Sequence, residues 1–155
     1  MRLEPDLLRR APAFAALPAD AHEALVLCFR ERRYAPGEVV FAEGDPAVGL
    51  HLLAEGELTV SVRTGGVSRR IGRILPGQLV GEAALIDPTP RPATVTALRA
   101  SVVYEVGEEA IEILRRAAPA AARALIGAAI AGVARRLSTL EQRIERELDR
   151  IASLP

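Results

Sequence analysis

Residues 80–97 read VGEAALIDPTPRPATVTA, and this stretch breaks the rhythm of what surrounds it. On either side lie short β-rich runs: EVVF at 38–41, LHLL at 50–53, LTVSV at 58–62, RRIGRIL at 69–75, ATVTAL at 93–98 and SVVYEV at 101–106. The turn signals APG, EGD, AEGE, TGG and LPG separate them. About eight short strands at this spacing predict a closed or sandwich-like antiparallel β-domain rather than βαβ units. GEAAL at 81–85 starts like a short helix, and the prolines of DPTPRP at 87–92 stop it. An interruption of that kind inside a regular β-roll is where a ligand site belongs.

Helical patterns flank the roll. Apolar residues recur at three and four from Glu4 to Arg10 and from Asp20 to Arg30, with APAFAALP between them. Asp20 followed by Glu23 predicts a capping box at the start of the second run. After Gly107, EEAIEILRRA predicts a short helix, and a long one follows from Pro119 to about Ile151. On the long helix Ile126, Ile130, Val133, Leu137, Leu140 and Ile144 alternate by four and three, the seam of a coiled coil. Small residues at Ala128, Ala129, Ala131 and Gly132 leave room for a neighbouring backbone. The expected architecture is α+β: an antiparallel eight-stranded β-roll of the jelly-roll type with N-terminal helices and a long C-terminal helix. Its segments are a helical part at 1–33, the roll at 34–106 with the interrupted cassette at 81–92, and C-terminal helices at 107–155, all in one domain.

Composition excludes several functions. Twenty basic and twenty acidic residues give zero formal net charge, so no global field draws the protein to nucleic acid or an anionic membrane. Half of the residues are apolar, and 28 of the 155 are alanine. The longest uncharged stretch, 124–134, falls short of the roughly 18 apolar residues of a membrane span. The start, MRLEPDLLRR, lacks the apolar segment of a secretory signal. Cys28 is the only cysteine, which fits core packing in a reducing cytoplasm. His22 and His51 are the only histidines and sit on separate elements, which argues against a metal site and against a metal enzyme on a cupin-like roll. No nucleophile lies beside a base, so no enzymatic activity is expected.

The cassette carries chemistry of its own. A glycine before a short helix leaves backbone N–H groups unpaired, a setting for an anion. Arg91, closing the segment, can add a charge-assisted contact. Glu82 suits a ligand with a hydroxyl donor beside its phosphate, as a ribose has. The spacing alone is equally compatible with a first-turn carboxylate and a solvated loop arginine.

The chain resembles the cyclic nucleotide-binding domain family, shared by the catabolite activator protein, kinase regulatory subunits and nucleotide-gated channels. The likeness is to F-G-E-x-A-L followed by P-R-x-A-T-V, with Glu82 and Arg91 nine positions apart. It extends to EGDPAVGLHLLAEGELTVSV at 43–62 and to the LPG turn at 75–77. The resemblance implies that Glu82 binds the ribose 2′-hydroxyl, that Arg91 binds the cyclic phosphate, and that amides around Gly81, Ala83 and Ala84 cap it. It places Val60, Ile71 and Gly72 against the ribose and base, counts Ala93 among the ligand positions, and matches ARRL at 134–137 so that Arg136 reaches the glutamate and ribose.

Two departures stand out. Pro92 follows the arginine where the family donates an N–H, and losing that donor costs roughly 1–3 kcal/mol. Pro92 also lacks the hydroxyl that favours guanine, so cyclic AMP is expected over cyclic GMP. Leu140 and Glu141 stand where the activator reads the base, while Ser138 and Thr139 lie off that register. The activator continues into a helix-turn-helix, whereas the sequence reaches Pro155 without one, so direct DNA binding is not expected. The expected function is a cyclic nucleotide sensor, a cytoplasmic homodimer through its C-terminal helix, passing ligand occupancy to a partner protein. The alternative is a scaffold that keeps the fold and binds no nucleotide.

Overall fold

The computed structural model describes residues 8, 9, 11, 14, 15, 17–85 and 89–153. Eight strands form two four-stranded sheets in which all pairs are antiparallel. One sheet runs in the order β1 (Arg30–Tyr34), β8 (Ser101–Val106), β3 (Leu50–Glu55), β6 (Leu79–Val80). The other runs β2 (Val39–Phe41), β7 (Thr94–Ala97), β4 (Leu58–Thr64), β5 (Val67–Ile74). Among the described residues three α-helices have both ends placed, α1 (Ala19–Cys28), α2 (Glu108–Ala117) and α3 (Pro119–Ala152). This is the eight-stranded roll with a long C-terminal helix that the strand spacing predicts.

The first sheet is covered on both faces, which explains why β3 is buried continuously from Leu50 to Ala54 rather than alternating. Leu50, Leu52 and Ala54 join Leu25, Leu114 and Leu125 of the helices in one cluster. Leu53 points the other way, into the roll with Leu58, Val95 and Val103. Leu52 and Leu125 are fully buried, so truncating either to alanine costs about 2–5 kcal/mol. Cys28 packs against the helical cluster, and burial raises the pKa of its thiol.

Two expectations need correction. The β texture starts at Arg30 rather than Tyr34: RERRY is mostly charged and exposed, so its pattern carries no apolar signal. Pairing with β8, from Arg30↔Glu105 to Tyr34↔Ser101, makes it a strand. The capping box does not form. Helix α1 begins at Ala19 behind extended Pro18 with no side-chain cap, leaving Asp20 in the first turn, where its charge favours the helix dipole. The helix expected from Glu4 to Arg10 lies outside the described residues apart from Leu8 and Arg9.

The neighbour of the small residues on α3 is the domain itself. Ala121, Ala122, Leu125, Ala128 and Ala129 are buried, and Gly132 faces Glu82. The small residues Ala128, Ala129 and Gly132 therefore let the helix approach its own domain. The seam beyond them stays uncovered, with Ile130, Leu137, Leu140 and Ile144 each more than half exposed. Among the described residues no helix is long and apolar enough to cross a membrane.

Candidate functional site

Gly81 sets the local geometry. Its φ of +79° lies in the left-handed region, which glycine enters without a Cβ penalty, and the chain turns from β6 directly into a 3-10 helix, Glu82–Leu85. A Cβ at Gly81 would lie 2.4 Å from Nη1 of Arg91, so glycine also makes room for the arginine. Glu82 is buried, 1% exposed. The Ala84 amide donates to the Gly81 carbonyl at 3.2 Å, so it closes the first turn and is not available to a phosphate as expected. The amides of Glu82 and Ala83 precede that turn and have no intrahelical acceptor.

Arg91 is pinned through its backbone: its N–H donates to the Asp45 carbonyl and its carbonyl accepts from the Gly44 amide, both at 2.9 Å. Arg91 is 4% exposed. Nη1 donates to Gly81 O at 3.0 Å, and Nη2 donates to Val48 O at 2.8 Å and Gly49 O at 3.0 Å. Its Cζ sits 4.2 Å from the centroid of the Phe41 ring, a cation–π contact. Nε is buried without a hydrogen-bond partner. Burial lowers the Arg91 pKa, while Asp45, Glu82 and Glu105 oppose the shift; a guanidinium stays protonated regardless. A buried cation resting on carbonyls, with a free N–H, is a group built to meet an anion.

Helix α3 closes the site from the other side. Nη1 of Arg136 lies 2.7 Å from Oε1 of Glu82, but off the N–H axis, so that oxygen makes no aligned hydrogen bond. Nη2 of Arg136 donates to the Leu79 carbonyl. The approach is tight because position 132 has no side chain: a Cβ at Gly132 would stand 3.3 Å from the same Glu82 oxygen.

These elements enclose a cleft of about 1080 Å³. Every candidate position from the sequence lies on it. Gly81, Glu82, Ala83 and Ala84 form one wall, and Arg91, Pro92 and Ala93 continue it. Val60 of β4 and Ile71 and Gly72 of β5 form a second, and Arg136 belongs to the third. Pro92 is exposed and has no N–H to offer. The sequence reading missed Phe41, Arg70, Thr139 and Arg143, which also line the cleft. Thr139 corrects the off-register expectation: its hydroxyl donates to the Arg135 carbonyl at 2.9 Å, on the cleft side of α3. Counting helical steps from Gly132 and Arg136 would have found Thr139 and Arg143.

The sequence profile of the cyclic nucleotide-binding domain matches residues 31–117, more than half of the chain. The chain belongs to the cyclic nucleotide-binding domain family. Among proteins similar to this domain is the cyclic AMP receptor protein of Thermus thermophilus, 28% identical over 70% of this chain and 51% of its own length. The N-terminal domain of a transcriptional regulator from Streptomyces coelicolor A3(2) has 34% identity and a TM-score of 0.72, covering 90% of this chain and 95% of that one. The regulatory domain of Toxoplasma gondii PKA, crystallised with cAMP, has 28% identity and a TM-score of 0.64, covering 70% and 42%. The chain spans between 22% and 51% of the length of the first curated relatives it matches.

Proposed function

We propose that this cyclic nucleotide-binding domain is a regulatory sensor without catalytic activity that favours cyclic AMP over cyclic GMP. Arg91 holds the cyclic phosphate, together with the Glu82 and Ala83 amides at the Gly81 turn. Glu82 accepts the ribose 2′-hydroxyl, and Val60, Ile71 and Gly72 take the ribose and base. The observation that carries this reading is the buried Arg91 guanidinium, its Nε without a partner, sharing one cleft with the buried Glu82 carboxylate. The likeness to a regulatory domain crystallised with cAMP supports the ligand class. Pro92 brings no hydroxyl for guanine, which supports adenine.

Occupancy reaches α3 because Arg136 bridges Glu82 and the Leu79 carbonyl. A ribose hydroxyl on Glu82 competes for the same carboxylate, so ligand binding and helix position form one linked equilibrium. A cytoplasmic homodimer reporting to a partner protein through α3 completes the reading. Pro92 favours a second reading, a scaffold that binds no nucleotide, since it removes one phosphate donor.

Calorimetric titration with cyclic AMP and cyclic GMP separates the two. Saturation at 100 times the dissociation constant stabilises the fold by about 2.7 kcal/mol, and Arg91→Ala weakens binding by about 1.5–3 kcal/mol. Neither heat nor a melting shift with either nucleotide establishes the scaffold instead.

A further inference from the structure

The cleft is more cationic than one cyclic phosphate requires. Arg70, Arg73, Arg91, Arg135, Arg136 and Arg143 line it against a single carboxylate, Glu82. Arg73 is engaged by Glu57 at 2.9 Å, Arg136 by Glu82 at 2.7 Å, and Arg91 by three carbonyls. Arg70, Arg135 and Arg143 make no side-chain hydrogen bond or ion pair among the described residues. Arg143 lies two turns beyond Arg136 on the cleft side of α3, about 10 Å further along the axis. The volume, about 1080 Å³, sits at the upper end of the roughly 300–1,000 Å³ of pockets for drug-sized ligands.

We propose that Arg70, Arg135 and Arg143 form a second anion subsite, and that the cleft takes a nucleotide ligand carrying two phosphate groups, one on Arg91 and the other among these three. The inference rests on the cyclic nucleotide reading above and adds to it the ligand's charge. The first subsite is short of donors, because Pro92 has no N–H, the Ala84 amide is engaged, and three Arg91 N–H groups are committed to carbonyls. One exposed arginine contributes little to an ion pair. Three on the wall of one cleft that holds a single acid focus a positive potential there, and charge-assisted contacts from more than one of them add. A cyclic dinucleotide and a nucleoside 3′,5′-bisphosphate share this chemistry.

Titrating the whole chain with cyclic AMP, cyclic di-AMP, cyclic di-GMP and adenosine 3′,5′-bisphosphate distinguishes these sources. At least one two-phosphate ligand is expected to bind about tenfold or more tightly than cyclic AMP. Arg70→Ala and Arg143→Ala, both at exposed positions, each weaken that ligand about tenfold and cyclic AMP less than about twofold. If cyclic AMP binds and no two-phosphate ligand binds more tightly, or if the variants weaken both classes equally, the second subsite is refuted and the cyclic nucleotide reading stands. If no ligand binds the wild-type chain, both fall.

Discussion

Arg136 on α3 stands 2.7 Å from Oε1 of buried Glu82, while its other terminal nitrogen donates to the Leu79 carbonyl. One side chain thus ties the long helix to the first residue of the 3-10 helix and to the strand before it. Arg136 is half exposed, whereas Glu82 is not, so removing the arginine leaves a buried carboxylate without its cation. Arg136→Ala is expected to cost about 1–2 kcal/mol of stability. It should also speed amide exchange in α3 from Ala128 onward more than in β3. Uniform exchange changes across the two elements would show that the contact does not anchor the helix.

Gly81 makes a sharper test of the cassette. A Cβ there meets Arg91 Nη1 at 2.4 Å, and the residue's φ is +79°, so alanine faces both a clash and an unfavourable backbone. Gly81→Ala is expected to lose about 1–3 kcal/mol in urea denaturation and to lose nucleotide binding as Arg91 is displaced. Gly37 also has positive φ, at +88°, but nothing lies near its missing Cβ. Gly37→Ala therefore carries the backbone cost alone and should leave binding intact. If both variants bind nucleotide like wild type, Arg91 is not held through Gly81.

Much of this arrangement was legible in the sequence, and the exceptions share a physical reason. Strands β2, β3, β4, β5, β7 and β8 each fall on a β-rich run bounded by turn residues, because their apolar content is local information. Strand β1 was not, since RERRY becomes a strand only through its pairing with β8. In the site, Gly81, Glu82 and Arg91 announce themselves by residue type and spacing. Phe41 and Gly132 do not: one matters because a guanidinium rests on its ring, the other because a carboxylate passes 3.3 Å from where its Cβ would be. Those distances join elements far apart in the chain, and no local pattern records them.

His51 gives the fold a pH dependence. Its ring is buried beside Phe41, centroids 5.3 Å apart, and Nδ1 has no partner. Burial, reinforced by the Arg91 charge, pushes its pKa from the ordinary 6.5 down to about 4. The unfolded chain then binds a proton that the folded chain refuses between those values. The stability held by neutral His51 is complete above pH 6.5 and is lost as pH falls towards 4. At about 1.4 kcal/mol per unit, the loss is of order 3 kcal/mol. Urea midpoints at neutral and acid pH should fall further for wild type than for His51→Leu, since other acid-sensitive groups are common to both. Equal falls would place the proton elsewhere.

The uncovered seam of α3 leads to the last prediction. Ile130, Leu137, Leu140 and Ile144 are all more than half exposed on one helix, and they recur at the four-and-three spacing that buries such residues between two helices. The domain's own contacts use Ala121, Ala122, Leu125, Ala128 and Ala129, and Ile130, Leu137 and Ile144 lie off the cleft lining, so pairing through these three leaves the cleft contacts of Gly132 and Arg136 in place. Exposed apolar stripes of this length carry a solubility cost that a second copy removes. The expected state is a homodimer with α3 against α3. Leu137→Asp with Ile144→Asp is the chosen disruption, because Leu140 also lines the cleft and its replacement would confuse assembly with binding. Light scattering should give the mass of two chains for wild type and of one for the double variant, with the melting curve of the roll retained. A wild-type mass of one chain at micromolar concentration would leave α3 as a strap on its own domain, and its seam as a surface for a different protein.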